Sequence, residues 1–293
     1  MMTTEKLTSH ASRCLAAVGL AALLFASESR AQVIVDAGGF EAAAGYSTTF
    51  DGDGKLEGQV PATFNGTWLR TSGPALSTAT VQSGLVKSGT QAVQVDRAAN
   101  SDDRWAVPVV GYPSTGVDTI CICWDMLVRG PAGTVGTDFG PFFGVEAYDD
   151  NNAGQGVGLI GSLGVDATTG DVLYQAADTG VFKESGEKVE FGEWNRFNLF
   201  LDYSTKTYSI YFNNSLVATE GFVDENNIPG GLIDFTDADI AALAASANSQ
   251  GLTGTAFFDN FTVHEGVPCG VPEPTTALMV LAGLVCAGCR RQR

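Results

Sequence analysis

Trp194-Asn-Arg-Phe-Asn-Leu-Phe-Leu-Asp202-Tyr-Ser-Thr-Lys206-Thr207-Tyr-Ser-Ile-Tyr-Phe212-Asn213-Asn214 is the stretch that decides the fold. Phe197, Leu199 and Leu201 alternate with Asn198, Phe200 and Asp202, and Tyr208, Ile210 and Phe212 alternate with Ser209 and Tyr211. Period-2 patterning in β-branched and aromatic residues marks strands rather than helices. Asp202-Tyr-Ser-Thr-Lys206 supplies one turn. Asn213-Asn214 supplies the next, because Asn tolerates the positive φ that tight hairpins need. Trp194 joins the expected core with Phe197, Leu199 and Leu201, and its opposite parity asks for a bulge or two-sided burial.

Working outward, the same punctuation recurs. Strands are expected at 79–86, 91–95, 105–110, 119–128, 141–147, 156–165, 172–175, 194–203, 207–213, 216–220 and 256–264. Thr236-Asp-Ala-Asp239 reads as a helix N-terminus, with acids at the positive end, and Ile240, Leu243 and Ala244 follow at helical spacing. A short helix is therefore expected at about 237–249. Residues 33–78 carry little strand signal and are expected to wrap a sheet edge. The expected fold is all-β: a two-sheet antiparallel sandwich with that one short helix.

Composition agrees. Of 293 residues, 44% are hydrophobic, 17% are charged and 36 are Gly. Thirty-three acidic residues face 16 basic ones, for a net charge of −17. Such a chain is a poor match for nucleic acid, which needs Lys and Arg to displace phosphate counterions. His10 and His264 are the only histidines, which removes most His-based chemistry.

The two ends read as addresses. Lys6 and Arg13 precede an apolar run from Leu15 to Phe25, and Ser29-Arg30-Ala31 places small residues at a cleavage site between Ala31 and Gln32. At the other end, Val271-Pro272-Glu273-Pro274 precedes an apolar run and then Arg290-Arg291-Gln292-Arg293. Arginines after an apolar run hold that end on the cytoplasmic side. The expected organisation is a signal helix at 1–31, a sandwich at 32–266, and a tail at 267–293 carrying a hydrophobic helix. Removing residues 1–31 and those after Pro274 takes away six basic residues (Lys6, Arg13, Arg30, Arg290, Arg291, Arg293) and two acidic ones (Glu5, Glu28). The remaining body is more acidic still.

The tail resembles the PEP-CTERM sorting signal of bacteria that secrete polysaccharide. The resemblance implies an exosortase-type processing enzyme as partner, with Pro272, Glu273 and Pro274 as recognition residues and Arg290, Arg291 and Arg293 as the basic end. It also implies transient insertion of the tail in the inner membrane, then a cell-surface or extracellular-matrix location. The body is similar to concanavalin A-like (laminin-G-type) jelly rolls. That likeness rests on Gly39-Phe-Glu41, Trp68, Ser88-Gly-Thr-Gln-Ala-Val93, the Trp194–Asn214 stretch and Phe257-Phe-Asp-Asn-Phe-Thr-Val263.

Catalysis in sandwich glycanases needs two carboxylates flanking the scissile bond. Gly144-Val-Glu-Ala-Tyr-Asp149 offers Glu146 and Asp149, but an offset of three aims them at opposite faces. No catalytic residue is assigned, and the protein is expected not to be an enzyme. Tyr148, Asp149, Asp150, Asn151 and Asn152 form the candidate ligand or calcium loop, with polysaccharide as the candidate partner. Calcium accepts such oxygens, and Asp51-Gly-Asp53-Gly54 is a weaker second loop. Trp105 and Trp124 are candidate sugar-stacking rings whose commoner fate is the core. Cys121 and Cys123 share one face of a strand and are poorly placed to bond each other; either can pair with Cys269. Without a further Cys pair or a His cluster, no zinc site is expected, and no metal ligand is assigned beyond that candidate calcium loop. Three functions stay open: a glycan-binding surface module, a secreted glycan hydrolase or lyase, and a purely structural surface protein.

Overall fold

The computed structural model describes residues 32–150 and 156–266. Its fifteen strands are β1 (Val33–Asp36), β2 (Leu69–Ser72), β3 (Thr78–Gln82), β4 (Ala92–Arg97), β5 (Asp103–Ala106), β6 (Thr119–Val128), β7 (Pro141–Asp149), β8 (Gly158–Asp166), β9 (Asp171–Gln175), β10 (Phe182–Lys188), β11 (Asn195–Asp202), β12 (Thr207–Phe212), β13 (Ser215–Gly221), β14 (Asp237–Ala244) and β15 (Gly254–Glu265). They form two antiparallel sheets, a jelly-roll sandwich. The first runs β13-β12-β11-β6-β15-β4-β3, with β1 also on β15; the second runs β10-β9-β8-β7-β14-β5-β2.

The deciding stretch folds as its pattern predicts. β11 pairs with β12 from Phe197↔Phe212 to Asp202↔Thr207 without interruption. The Asp202 carboxylate accepts the N–H groups of Ser204 and Thr205, closing the first turn. Asn213 and Asn214 adopt φ of 48° and 67°, the left-handed pair that a tight hairpin requires. Phe197, Leu199 and Leu201 are fully buried. Trp194 departs from expectation: it lies just before β11 and is half-buried, so no bulge is needed to accommodate it.

The expected helix at 237–249 is not there. Asp237–Ala244 is strand β14, and only a 3-10 turn at Ala247–Ser249 follows. Ala, Leu and acidic residues favour helix locally, but such propensities are weak against tertiary pairing. β14 is matched residue for residue with β7, from Asp237↔Tyr148 to Ala244↔Pro141, and pairs with β5 on its other side. Ala238, Ile240 and Ala242 enter the core between the sheets. Asp237, Asp239, Ala241 and Leu243 take the opposite face. Residues 33–78 also contain more strand than expected: β1 joins the first sheet and β2 edges the second.

The outer face of the second sheet divides in two. Phe142, Leu173, Ala241 and Leu243 make a small apolar cluster at one end. Gly144 and Gly164 face each other beside it, and a Cβ on either would meet the Phe142 ring at 2.5–2.6 Å. Beyond them on β7 and β14 the face turns acidic.

Candidate functional site

Glu146 and Asp239 are direct partners across β7 and β14, and Tyr148 and Asp237 are the next pair. All four therefore share the outer face. Arg104, on β5, reaches the same face, and its Nε donates to Glu146 Oε2 at 2.5 Å. The Tyr148 hydroxyl donates to the same oxygen at 2.9 Å. Thr71, from β2, donates to Asp239 Oδ2 at 2.9 Å. Asp239 is 2% exposed, and among the described residues its Oδ1 has no hydrogen-bond partner. On the other side of β7, Glu146 pairs with Ser162, whose buried hydroxyl is also unpartnered. A polar row thus crosses three strands.

Asp103 fixes the arm that carries Thr71. Its buried carboxylate accepts the N–H groups of Ala75 and Ser77 and pairs with Arg70. Burial opposes its charge, but these donors and the Ser101 hydroxyl hold its carboxyl below the usual range. Gly73, at φ +104°, lets the turn press against Asp103; a Cβ there would lie 2.3 Å from the carboxylate.

Burial is also the main force on the acidic row. It pushes Asp237 up to about 7, aided by the charge of Asp150. It pushes Asp239 well above the ordinary carboxylate range, aided by the charge of Asp237. Burial also raises the Asp150 carboxyl, beside Asp237. Arg104 remains charged: burial opposes this, but Glu146 beside it more than compensates.

A cavity of about 330 Å³ opens over this row, lined by Thr71, Arg104, Tyr148, Asp150, Val157 and Asp239. A second, of about 460 Å³, shares Thr71 and Asp150 and extends past Asp237 toward Leu69 and Val110. Volumes of this size suit a sugar-sized ligand.

The loop expected to bind calcium is split by the strand's alternation. Tyr148 and Asp150 reach the cavity. Asp149 does not: it is fully buried on the other face, where its Oδ2 accepts the N–H groups of Ile233 and Asp234 at 2.9 and 3.0 Å. Its role is to clamp that loop. Asp149→Ala should therefore lower stability by about 1.5–3 kcal/mol in urea unfolding, equally with calcium and with chelator. A loss that appears only with calcium would return Asp149 to the ligand list. Asn151 and Asn152 lie outside the described residues. So do Ala31, Pro272, Glu273, Pro274, Arg290, Arg291, Arg293 and both terminal helices; Gln32 is exposed, just before β1. Among the described residues, no helix is long and apolar enough to cross a membrane.

Other candidates resolve simply. Trp105 and Trp124 are core residues, so neither stacks on a ligand. Asp51 and Asp53 are exposed, and Asp53 accepts the Lys55 N–H in a solvated turn. The Cys121 and Cys123 sulfurs lie 3.7 Å apart on one face of β6, with His264 Nε2 3.9 Å from Cys123. These three offer ligand atoms within 4.8 Å of one another. Cys123 is disulfide-bonded, however, so its thiolate is not available to a metal.

Sequence reasoning missed Asp237, Asp239 and Arg104. The signal for the first two was the alternation Asp237-Ala-Asp239-Ile, overridden in the reading by helix propensity. Arg104 carried no signal of its own, since its partner lies 42 positions away.

No family model and no curated protein matches the chain. Among solved structures it is similar to a cellulose-induced protein, Cip1, at 16% identity and a TM-score of 0.47, covering 69% of this chain and 94% of that one. It is also similar to an endo-β-1,4-glucuronan lyase from the fungus Trichoderma reesei at 13% identity and a TM-score of 0.46, covering 66% and 89%. A sialidase follows at 9% identity and a TM-score of 0.44, covering 67% of this chain and 16% of that one.

Proposed function

We propose that the protein is an exported, non-enzymatic surface or matrix module that binds a glycan in the groove along β2. One observation carries the binding reading. Asp239, almost fully buried, lines a sugar-sized cavity, and among the described residues its Oδ1 has no donor. Sugar hydroxyls are donors, and Thr71, Ser72 and Tyr148 add hydroxyls of their own. Recognition here is by hydrogen bonding, because the tryptophans first considered as stacking rings are in the core. Glycan-array binding with calcium and with chelator is the test. Whether calcium supports the ligand or competes with it at this acidic row is read in the same experiment. Binding lost in Asp239→Asn supports the groove, whereas unchanged binding in that variant moves the site elsewhere.

One observation favours a second reading, a glycan hydrolase or lyase. Burial raises the Asp239 carboxyl well above the ordinary range opposite Glu146, which Arg104 holds, and paired residues of adjacent strands lie about 5 Å apart at Cβ. An acid and a carboxylate at such spacing are the elements of glycoside chemistry. Release of reducing ends from crude polysaccharide, abolished in Asp239→Asn, would establish it. Absence of both binding and release leaves a structural surface protein.

Export and sorting complete the proposal. The leader ends at Ala31, and the tail after about Pro274 is removed by an exosortase-type enzyme. The intact mass of the native surface protein should then lack both ends. Arg290–Arg293 retained on surface-exposed protein would overturn tail processing.

A further inference from the structure

The cavity over β5, β14 and β7 is unbalanced in charge. Arg104 is committed to Glu146. Among the described residues, no Lys or Arg nitrogen lies within ion-pair distance of Asp150, Asp237 or Asp239. Asp239 is 98% removed from solvent, lines the cavity, and keeps Oδ1 without a donor. A buried acceptor left unsatisfied is costly, most of all a carboxylate. A positively charged donor would satisfy Oδ1 and let this carboxyl, which otherwise holds its proton because it is buried, ionise.

Size separates the kinds of cation. The cavity, about 330 Å³, is roughly ten times the share of one water molecule. An ammonium group on a ring-sized body fits better than a bare ion. Acidic sugars are disfavoured, since a uronate would add a further acid to this row, beside an Arg104 already committed to Glu146, on a chain of net charge −17.

We propose that this cavity binds a glycan unit carrying a free primary ammonium, a deacetylated amino sugar. The ammonium donates to Asp239 Oδ1 and to Asp150, and ring hydroxyls meet Thr71 and Ser72. This rests on the glycan-binding reading and names its ligand class.

The test is calorimetric titration of the secreted protein with a glucosamine hexamer, the matched N-acetylglucosamine hexamer and a uronate oligomer, where the amine is protonated. The glucosamine hexamer should bind about tenfold more tightly than its acetylated match, the worth of a charge-assisted hydrogen bond. Asp239→Asn should abolish that preference. Asp150→Asn, at an exposed position that does not endanger folding, should reduce it. Asp53→Asn, exposed and outside the cavity, controls for attraction of a polycation to an acidic protein and should leave the preference intact. Equal affinity for the two hexamers, or equal losses in Asp53→Asn and Asp150→Asn, would overturn the proposal while leaving glycan binding in place. Competition by calcium chloride that follows Asp239 would overturn it in favour of a metal. If no carbohydrate of any class binds, the glycan reading itself falls.

Discussion

Arg104→Leu should destabilise the protein by about 3–5 kcal/mol, the usual cost of breaking a buried ion pair from one side. Among the described residues, the guanidinium is the single positive group in ion-pair contact with the acidic row, at 2.5 Å from Glu146. Glu146 is 1% exposed. Removing Arg104 leaves a nearly buried carboxylate with the Tyr148 hydroxyl as its donor and Asp239 directly across the strand pair. The penalty belongs to the uncompensated charge rather than to lost packing, and a second substitution separates the two. In Arg104→Leu/Glu146→Leu both charges are gone, and replacing a buried pair by apolar groups is often close to neutral. Urea unfolding of the single and double variants should therefore show a large loss followed by recovery of most of it. A single variant with an unchanged midpoint would mean that solvent reaches Glu146 and that the row is not a dry site.

The strands were legible where packing and local pattern agree. Thr119–Val128 was read to the residue, and the β11–β12–β13 hairpins follow from alternating apolar positions and the Asn213-Asn214 turn. β10 was not read, because Phe182–Lys188 is a charged, exposed edge strand with little apolar alternation; edge strands are protected from aggregation by such charges. β14 was misread for the opposite reason. Both of its faces are covered, so its sequence lost the contrast that marks a half-exposed strand. Its alanines then suggested a helix. The site suffered from that error directly. Glu146 and Tyr148 stood out in the Gly144–Asn152 segment, but their partners arrive from β14 and β5. Pairing across a sheet joins residues far apart in sequence, and no local pattern announces it. The acid-rich run Asp149–Asn152 looked like one loop offering four ligands. The strand continues through Asp149, and its alternation sends that carboxylate to the other face.

The same row should make the fold more stable in mild acid than at neutral pH. Asp237 is pushed up to about 7, chiefly by burial and then by Asp150, and Asp239 is raised further by burial and by Asp237. In the unfolded chain both titrate near ~3.9. Between these values the folded protein holds protons that the unfolded chain has released. Stability then falls as pH rises from about 4 to about 7, by roughly 1.4 kcal/mol per pH unit for each proton so held. The contribution of Asp237 is exhausted above about 7, where it is ionised in both states. Asp103, Glu41 and Asp202 have depressed values and act in the other sense. Their contribution is present above the unfolded value and is lost only as pH falls below about 4. The two groups together place the stability maximum near the lower end of the Asp237 window. Urea midpoints measured from about pH 4 to about pH 8 should decline, and Asp237→Asn should flatten that decline. General repulsion within a chain of net charge −17 also weakens the fold as carboxylates ionise, but one amide among 33 acidic residues would barely alter it. An undiminished slope in Asp237→Asn would assign the pH dependence to that diffuse repulsion, and would mean that water reaches the Asp150–Asp237 pair freely enough to let both ionise.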